Sequence, residues 1–456
     1  MKRSVRRHST SKDIMQHRIT RAVSLAAVVA LALLAGAAGA QAKTDIYFWH
    51  AMPGVLGKTV EELVKQFNQS QGDFEVKAVY KGTYEEVLAA TKAAYRQKKN
   101  PPHIVQISNS DTQSMALSDM IVPIYRLMHQ QKIAINWADF IETITADSSK
   151  DGRLYSMPFN ASTPILYYNK DIFRKAGLSD TPPVTWPAVE AASRKILATG
   201  AATCPFSPGS PGYVLVAAFP WHDQPFATNQ NGQTGLDTRL LINGDFGLMH
   251  VGALARWHKE NILAYGGGQR SFLKGECAMR LESSAAIETF KKSLTFDWGT
   301  GPLPHWGPPY PKGNAYLIGA TLWVLRGHEP EEDKGVAQFL KFLIEPAQQR
   351  WWASTTGYVP TVKSAVKSLE DDSFYQKNPE QWTAVSQLLN AKPTRNSRGI
   401  RLGNFDKVVE VIQFELENIF AGKKTVKEGL DAAVSRGNAI LRQYGVSHGA
   451  AGNGEI

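Results

Sequence analysis

Cysteine is almost absent from this sequence. Only Cys204 and Cys277 occur among 456 residues, and neither a C-x-x-C nor an H-E-x-x-H spacing is present. The histidines are scattered along the chain, so the sequence predicts no metal site and no cofactor. In an oxidising compartment the two cysteines can form a disulfide, and two separate buried thiols are the alternative.

Long hydrophobic runs are lacking after residue 42. Before that point, residues 1–21 carry seven Lys and Arg, and the apolar run "AVSLAAVVALALLAGAAGA" then leads into the small-residue pattern "AQA". This order of basic region, apolar region and cleavage pattern predicts that residues 1–42 are a secretory signal peptide. An N-terminal membrane anchor is the alternative, because the run is nearly long enough to span a bilayer.

A strong excess of positive charge is missing from the rest of the chain. Residues 1–42 contribute +6 of the formal net charge of +10, which leaves about +4 for the remaining 414 residues or so. The sequence also contains no basic helix with interleaved aromatic residues, so we expect no nucleic-acid partner. A mature chain of this length normally forms two domains.

Motifs for catalysis are lacking as well. The sequence has no G-x-S-x-G, and carboxylates such as Asp111, Glu282 and Asp406 are not paired in any motif. A secreted phosphodiesterase or glycosidase would need a nucleophile with its base, paired carboxylates or metal ligands. We therefore predict that the protein is not an enzyme.

Strand and helix patterns alternate at the start of the mature chain. This order predicts a parallel sheet with helices on its faces, and ligands bind such sheets beyond the carboxyl ends of the strands. Polar and aromatic residues, among them Tyr84 and Asn109, follow those ends. The predicted elements are strands at 44–50, 74–80 and 103–108, a helix containing Val60, Leu63, Val64 and Phe67, and a helix over 84–97.

Later segments give further predictions. "SMPFNASTPILYYN" (156–169) and "CAMRLESSAA" (277–286) are candidate connections between two lobes. Residues 202–213, rich in Pro, Gly and Ser, are expected to form a loop. The pattern at 335–346 predicts a helix that stops near Glu345, before Pro346, and a final helix over 425–445 is expected to end at Gly445.

The segment "NSRGIRLGN" (396–404) places Arg398 and Arg401 among glycine and asparagine residues. A guanidinium held in such a turn suits bidentate capture of a phosphate or carboxylate. A solvated loop is the alternative, and the local residues alone do not choose between the two arginines.

Several motifs together carry a resemblance to a known family. They are "FWHAM", "YKGTYEE", "PFNASTPILYYNKDIFRKAGLSDTPPVTW", "GECAM", "TTGYVP" and "RGIRLGN". The chain resembles the extracellular solute-binding proteins (family 1) of ABC importers, and in particular their glycerol-phosphate branch, over nearly all of residues 44–445.

The resemblance implies an α/β fold of two lobes with an interlobe ligand cleft and parallel-type sheets. Lobe one is expected at 43–160 and 284–328, and lobe two at 161–283 and 329–456. It also implies a periplasmic monomer without cofactor or metal, which binds a small phosphate ester and delivers it to the membrane permease subunits of the importer.

Matching the ligand contacts of the family onto this sequence gives a divided result. The residues that match in type are implied to hold the phosphate. Asn109 stands where the family has a Glu, and Ser210 and Tyr213 stand where it has two Trp, so the group attached to the phosphate is expected to differ. We expect sn-glycerol 3-phosphate or a glycerophosphodiester as ligand, with an oligosaccharide as the alternative. The matching residues are Tyr84, Ser162, Ser283, Gly319, Tyr358 and Arg401.

Overall fold

The computed structural model of the protein describes residues 42–150, 152–266 and 268–449, without the side chains of Gly268 and Gln269. The predicted signal peptide lies outside these residues except for Ala42. Among the described helices, none combines the length and the apolar character that are needed to cross a bilayer.

Two larger sheets contain most of the strands, and a small hairpin contains β5 and β6. The strands are β1 Thr44–His50, β2 Phe74–Tyr80, β3 Ile104–Ser108, β4 Ile121–Val122, β5 Ser149–Lys150, β6 Arg153–Leu154, β7 Met157–Ser162, β8 Pro164–Asn169, β9 Cys204–Ser207, β10 Cys277–Ser283, β11 Trp298–Gly301 and β12 Ile318–Leu325.

Helices surround both sheets. The longer ones are Gly54–Ser70, Tyr84–Gln97, Trp186–Ala198, Pro211–Trp221, Asp245–Lys259, Pro330–Leu343, Pro346–Thr356, Lys363–Asp371, Pro379–Leu388, Phe405–Phe420 and Val426–His448. The shorter ones are Thr112–Ala116, Ile124–Gln130, Glu142–Thr145, Lys170–Lys175, Gly268–Leu273, Ile287–Ser293 and Phe374–Lys377, together with single turns at Asn109–Asp111, Trp137–Asp139 and Ser284–Ala286 and a left-handed turn at Thr228–Gly232.

The first sheet has the order β2-β1-β3-β12-β4, and β7 also pairs with β12. Strand β1 runs parallel to β2 and to β3, which confirms the predicted β-α-β-α-β start of the chain. The helix Gly54–Ser70 buries the four predicted apolar residues on one face. The helix Tyr84–Gln97 begins after a capping box between Thr83 and Glu86, and this start fixes the position of Tyr84.

The second sheet has the order β11-β8-β10-β9. Only its β9–β10 pair is parallel, whereas β8 is antiparallel to both β10 and β11. In the first sheet β12 is antiparallel to β3 and β7. Both sheets are therefore mixed rather than parallel, because strands that return from the other lobe enter in the opposite direction.

In the described residues, the strands of the chain cross between the two sheets at two places, and later helices after β12 return to the second sheet. The predicted connection at 156–169 is a crossing, since β7 lies in the first sheet and β8 in the second. The second candidate, 277–286, is not a crossing, because β10 and the following β11 both lie in the second sheet. The return to the first sheet occurs between β11 and β12.

These pairings place the lobe boundaries differently from the prediction. Strand β11 belongs to the second sheet although 284–328 was expected in lobe one. The helix Pro330–Leu343 packs into the hydrophobic core of the first sheet, where Phe339 contacts Phe48, although 329–456 was expected in lobe two. The expected boundary at residue 284 fails because the chain turns back at Ser284–Ala286 instead of crossing.

Two local predictions are also corrected. The expected loop at 202–213 contains β9 and the start of the helix Pro211–Trp221. The last helix does not end at Gly445 but continues to His448, and the carbonyl of Gly445 accepts a hydrogen bond from the N–H of Gly449. By contrast, the predicted stop before Pro346 is close to the observed end of the preceding helix at Leu343.

Cys204 and Cys277 form a disulfide, which decides between the two alternatives left open above. The two cysteines are register partners on the parallel pair β9 and β10. Both strands lead directly to residues of the central cavity described below, so the bond ties two parts of that wall together.

We predict that the Cys204→Ala/Cys277→Ala variant loses roughly 4 kcal/mol of unfolding free energy. The bond closes a loop with a sequence separation of 73 residues, and a loop of this size restricts the unfolded chain by about that amount. Urea unfolding of the variant and of the oxidised wild type measures the difference. A loss below about 1 kcal/mol would contradict the prediction.

Candidate functional site

A cavity of about 370 Å³ lies between the two sheets. Residues associated with the first sheet form one wall, and residues of β10 and the start of the helix Pro211–Trp221 form the opposite wall. Six of the seven residues predicted to bind ligand line this cavity. They are Tyr84, Asn109, Ser162, Ser283, Gly319 and Tyr358.

Two tyrosine hydroxyls meet at the first wall. The Nδ2 of Asn160 donates to the Tyr84 hydroxyl at 3.0 Å, and Gln106 Nε2 donates to Asn160 Oδ1 at 2.8 Å. Burial raises the pKa of Tyr84, and it raises the pKa of Tyr358 well above its usual range. Both hydroxyls therefore remain protonated at neutral pH and can donate hydrogen bonds to a ligand.

Two serines from opposite walls form a hydrogen-bonded chain. Ser283 Oγ donates to Ser162 Oγ at 2.9 Å, and Ser162 Oγ donates to the carbonyl of Ile318 at 2.8 Å. The backbone N–H of Ala285 donates to Ser283 Oγ at 3.2 Å. The two serines thus lie together, but each hydroxyl already donates its hydrogen bond to another protein oxygen atom.

Gly319 brings the backbone of β12 close to that of β7. Its φ of 151° and a Cβ position only 1.9 Å from the carbonyl oxygen of Asn160 leave no room for a side chain. The residue therefore gives the cavity a stretch of bare backbone where β12 pairs with β7.

Arg401 does not line the cavity. It is 7 % exposed, and its Nη2 donates to the carbonyl oxygen of Ser149 at 3.0 Å and to that of Asp147. Its backbone N–H donates to the carbonyl of Asn231. Gly399, at a φ of 105°, lets this segment approach Asp147, since a Cβ at 399 would lie 2.7 Å from the Asp147 Cβ. Arg401 therefore lies behind the cavity wall and not in the cavity lining.

Asp147 connects this segment with the cavity. Burial raises the pKa of Asp147 to about 6, while Arg401 and the side chains of Asn109 and Thr112 act to lower it. Asn109 lies at the cavity wall, and its side-chain amide also faces Asp147. Arg401 thus influences the cavity through Asp147.

We predict that Asp147 makes the protein less stable as the pH rises. Its pKa in the folded state, about 6, lies above the ordinary value of 3.8, so its contribution is fully present below pH 3.8 and is lost as the pH rises through 6. Relative to Asp147→Asn, the wild type should lose roughly 2 to 3 kcal/mol of unfolding free energy between pH 4 and pH 7. Urea unfolding of both proteins across this range tests it, and parallel pH profiles would contradict it.

Acidic residues surround a second cavity that shares Tyr84, Ser108, Ser210 and Tyr213 with the first. Asp406 accepts hydrogen bonds from Ser110 Oγ at 2.9 Å and from the Tyr213 hydroxyl at 3.4 Å. Burial raises the pKa of Asp111 to about 6, and Asp406 adds to the rise. The carboxylates that line this acidic rim are Glu85, Asp406 and Glu410, and Asp111 lies close to Asp406.

One group of possible metal ligands occurs in the described part of the chain, formed by His103, His328 and Glu332. The Nδ1 of His103 accepts the N–H of Tyr47 at 2.9 Å. Neutral His103 therefore carries its proton on Nε2, the atom that lies 3.5 Å from Glu332 Oε1. A protonated nitrogen cannot bind a metal ion. We therefore interpret these three residues as a cluster of polar side chains and not as a metal site.

Sequence patterns missed some residues of the site. Asn160 and Gln106 orient the two tyrosines, and Glu282 lines the cavity with Arg280 behind it. The alternation of β7 gave one usable signal, since Asn160 and Ser162 share a face of that strand. Gln106 and Arg280 lie in otherwise apolar strands, where an isolated polar residue indicates a buried partner.

The fold and the cavity define a class, the two-lobe binding proteins that hold a small solute between their lobes. Residues 62–383 match the family profile described as bacterial extracellular solute-binding protein. The chain belongs to this family of bacterial extracellular solute-binding proteins.

Curated relatives are similar to this chain in sequence over nearly the whole length of both proteins. The chain is 39 % identical to the sn-glycerol-3-phosphate-binding periplasmic protein UgpB of Pectobacterium atrosepticum, over 92 % of this chain and 96 % of the relative. It is 38 % identical to the protein of that name from Escherichia coli, over 91 % and 97 %.

Solved structures share the fold. The cyclic alpha-maltosyl-1,6-maltose binding protein of Arthrobacter globiformis superimposes with a TM-score of 0.74 at 21 % identity, over 88 % of this chain and 100 % of the other. UgpB from Mycobacterium tuberculosis in complex with glycerophosphocholine also gives 0.74, at 22 % identity, over 88 % and 99 %. These likenesses confirm the expected two-lobe α/β architecture.

Proposed function

We propose that the protein is the periplasmic solute-binding subunit of an ABC importer, which captures sn-glycerol 3-phosphate or a related glycerophosphodiester and delivers it to the membrane permease. It acts as a monomeric binding protein and not as an enzyme. The single observation that carries this proposal is the cavity between the lobes, lined by hydroxyl, amide and backbone groups at positions that match the glycerol-phosphate branch.

The neutral donors of the cavity bear on the charge of the ligand. No Lys or Arg is found among the cavity-lining residues that the structure describes. A phosphate monoester is close to doubly charged at pH 7, because its second pKa is about 6, whereas a diester carries one charge. Burying one charge costs less than burying two, so the cavity favours the diester.

Tyr84 and Tyr358 are the proposed donors to the phosphate, and Asn109 is a proposed donor to the group attached to it. Ser162, Ser283 and Gly319 shape the wall of the cavity, and Arg401 supports the site from behind through Asp147. Since these groups come from both lobes, the ligand binds the closed form more tightly and shifts the protein towards it.

A ligand panel tests the proposal. Wild-type protein is titrated with sn-glycerol 3-phosphate, sn-glycero-3-phosphocholine and maltose, and binding is followed by calorimetry and by thermal unfolding. Both phosphate esters should bind, and a ligand at 100 times its Kd should add about 2.7 kcal/mol of stability. Stabilisation by maltose alone would favour the oligosaccharide alternative, and hydrolysis of the diester would favour a phosphodiesterase.

The acidic rim predicts selectivity for a diester with a cationic head group. Asp406→Asn should weaken binding of sn-glycero-3-phosphocholine about threefold, since an exposed charge contact contributes up to about 1 kcal/mol. It should leave sn-glycerol 3-phosphate unchanged or slightly improved. Calorimetry with both ligands measures the ratio, and Asp371→Asn, which removes an exposed carboxylate paired with Lys367, serves as the matched control. An equal loss for both ligands would contradict a head-group role.

A further inference from the structure

We infer that Glu282 recognises the glycerol hydroxyls of the ligand and that Arg280 holds Glu282 in position. The inference rests on the proposed function and deepens it, since it names the residue that selects the glycerol moiety. The starting observation is that Glu282 is the one charged side chain among the residues lining the central cavity in the described part of the chain.

The carboxylate of Glu282 is fixed at both oxygens. Arg280 and Glu282 lie two positions apart on β10, and Arg280 Nη2 donates to Glu282 Oε2 at 2.7 Å. The backbone N–H of Ser283 donates to Glu282 Oε1 at 3.0 Å. A carboxylate offers about four lone-pair sites. Each oxygen therefore retains an acceptor site for a further donor, and the geometry of the group is set before any ligand enters.

Arg280 explains why a neutral donor suits this carboxylate. It is 4 % exposed, and its Nη1 donates to Ser207 Oγ at 3.2 Å, so the guanidinium cannot turn towards solvent. Because this buried cation already balances the charge of Glu282, a cationic group of the ligand would gain little electrostatic free energy by binding to Glu282. Hydroxyl groups gain a hydrogen bond to an ionised acceptor, which is stronger than one to a neutral acceptor.

Glu282 also sets the direction of the ligand. A phosphate beside the carboxylate would be repelled, whereas the neutral donors Tyr84 and Tyr358 suit the anion. The ligand therefore lies with its phosphate near those donors and its hydroxyls near Glu282. The resemblance expects a carboxylate at position 109, where this chain has an amide. In this chain the carboxylate comes instead from the opposite wall.

The experiment compares two pairs of ligands that differ only in the glycerol hydroxyls. The pairs are sn-glycerol 3-phosphate with propyl phosphate, and sn-glycero-3-phosphocholine with propyl phosphocholine. Glu282→Gln should weaken binding of the two glycerol esters about tenfold, as expected for a hydrogen bond to a charged group. Binding of the two propyl esters should stay within about twofold of wild type. Calorimetry on the full mature chain measures all of these affinities.

A matched control and a second variant separate recognition from folding. Glu190→Gln removes a carboxylate that is ion-paired with Arg194 and Arg256, outside the central cavity, and should change no affinity. If Glu282→Gln does not fold because Arg280 is left unpaired, the double variant Arg280→Gln/Glu282→Gln removes both charges. The same loss, confined to glycerol esters, is expected from it.

The outcomes are distinguishable. An equal loss of affinity for glycerol and propyl esters would show that Glu282 only supports the fold, and unchanged affinity for the glycerol esters would show that it does not contact them. Either result overturns the inference and leaves the proposed function in place. If wild type binds none of the four esters, the proposed function fails and the inference fails with it.

Discussion

A reciprocal pair of hydrogen bonds between Thr163 and Ser284 determines where the groups of the cavity lie. The N–H of Ser284 donates to the Thr163 carbonyl at 2.9 Å, and the N–H of Thr163 donates to Ser284 Oγ at 3.2 Å. Thr163 is the residue between β7 and β8, at the crossing from one sheet to the other. Because this crossing is joined to the end of β10, Ser162 meets Ser283, and Glu282 faces the same space.

Charge is arranged around the cavity rather than in it. The cations Arg401 and Arg280 lie behind opposite walls, each engaged with protein oxygen atoms. Carboxylates such as Asp406 line the adjoining rim. The polar part of the lining consists of hydroxyls, amides and backbone beside apolar side chains, with Glu282 as the one charged member in the described residues. The result is a site in which the dipoles of hydroxyl, amide and backbone groups are oriented to bind an anion, while the charged arginines lie behind the walls.

Local patterns in the sequence predicted individual helices and strands better than they predicted which strands pair in the sheets. The period of apolar residues predicted the helix Gly54–Ser70, and three β-prone runs predicted the first parallel strands. The place where the chain returns to the first sheet was not predictable in this way, because the pairing of β11 with β8 depends on residues far apart in sequence. A polar connection within one lobe and a crossing between lobes have the same composition, so the prediction of a crossing at 277–286 was wrong.

The site shows the same division. Motif positions predicted that Tyr84, Ser162, Ser283, Gly319 and Tyr358 come together, and they line one cavity. The glycine-flanked arginine was expected to await an anion. Its guanidinium meets carbonyl oxygens of a segment about 250 residues earlier in the chain, and no local pattern records such a partner. Arg280 and Glu282 are close in sequence, but only the placement of β10 against the cavity shows that the carboxylate faces the cavity and the arginine lies behind it.

The bond between Cys204 and Cys277 has a consequence for when the protein matures. β9 leads to Pro208 and Ser210 at the mouth of the cavity, and β10 carries Glu282 and Ser283 into it. A newly made chain in the reducing cytosol lacks the bond that keeps these two strands in register. Export to an oxidising compartment then adds the covalent link between these two strands, so the cavity wall gains the stability of the bond only outside the cytosol.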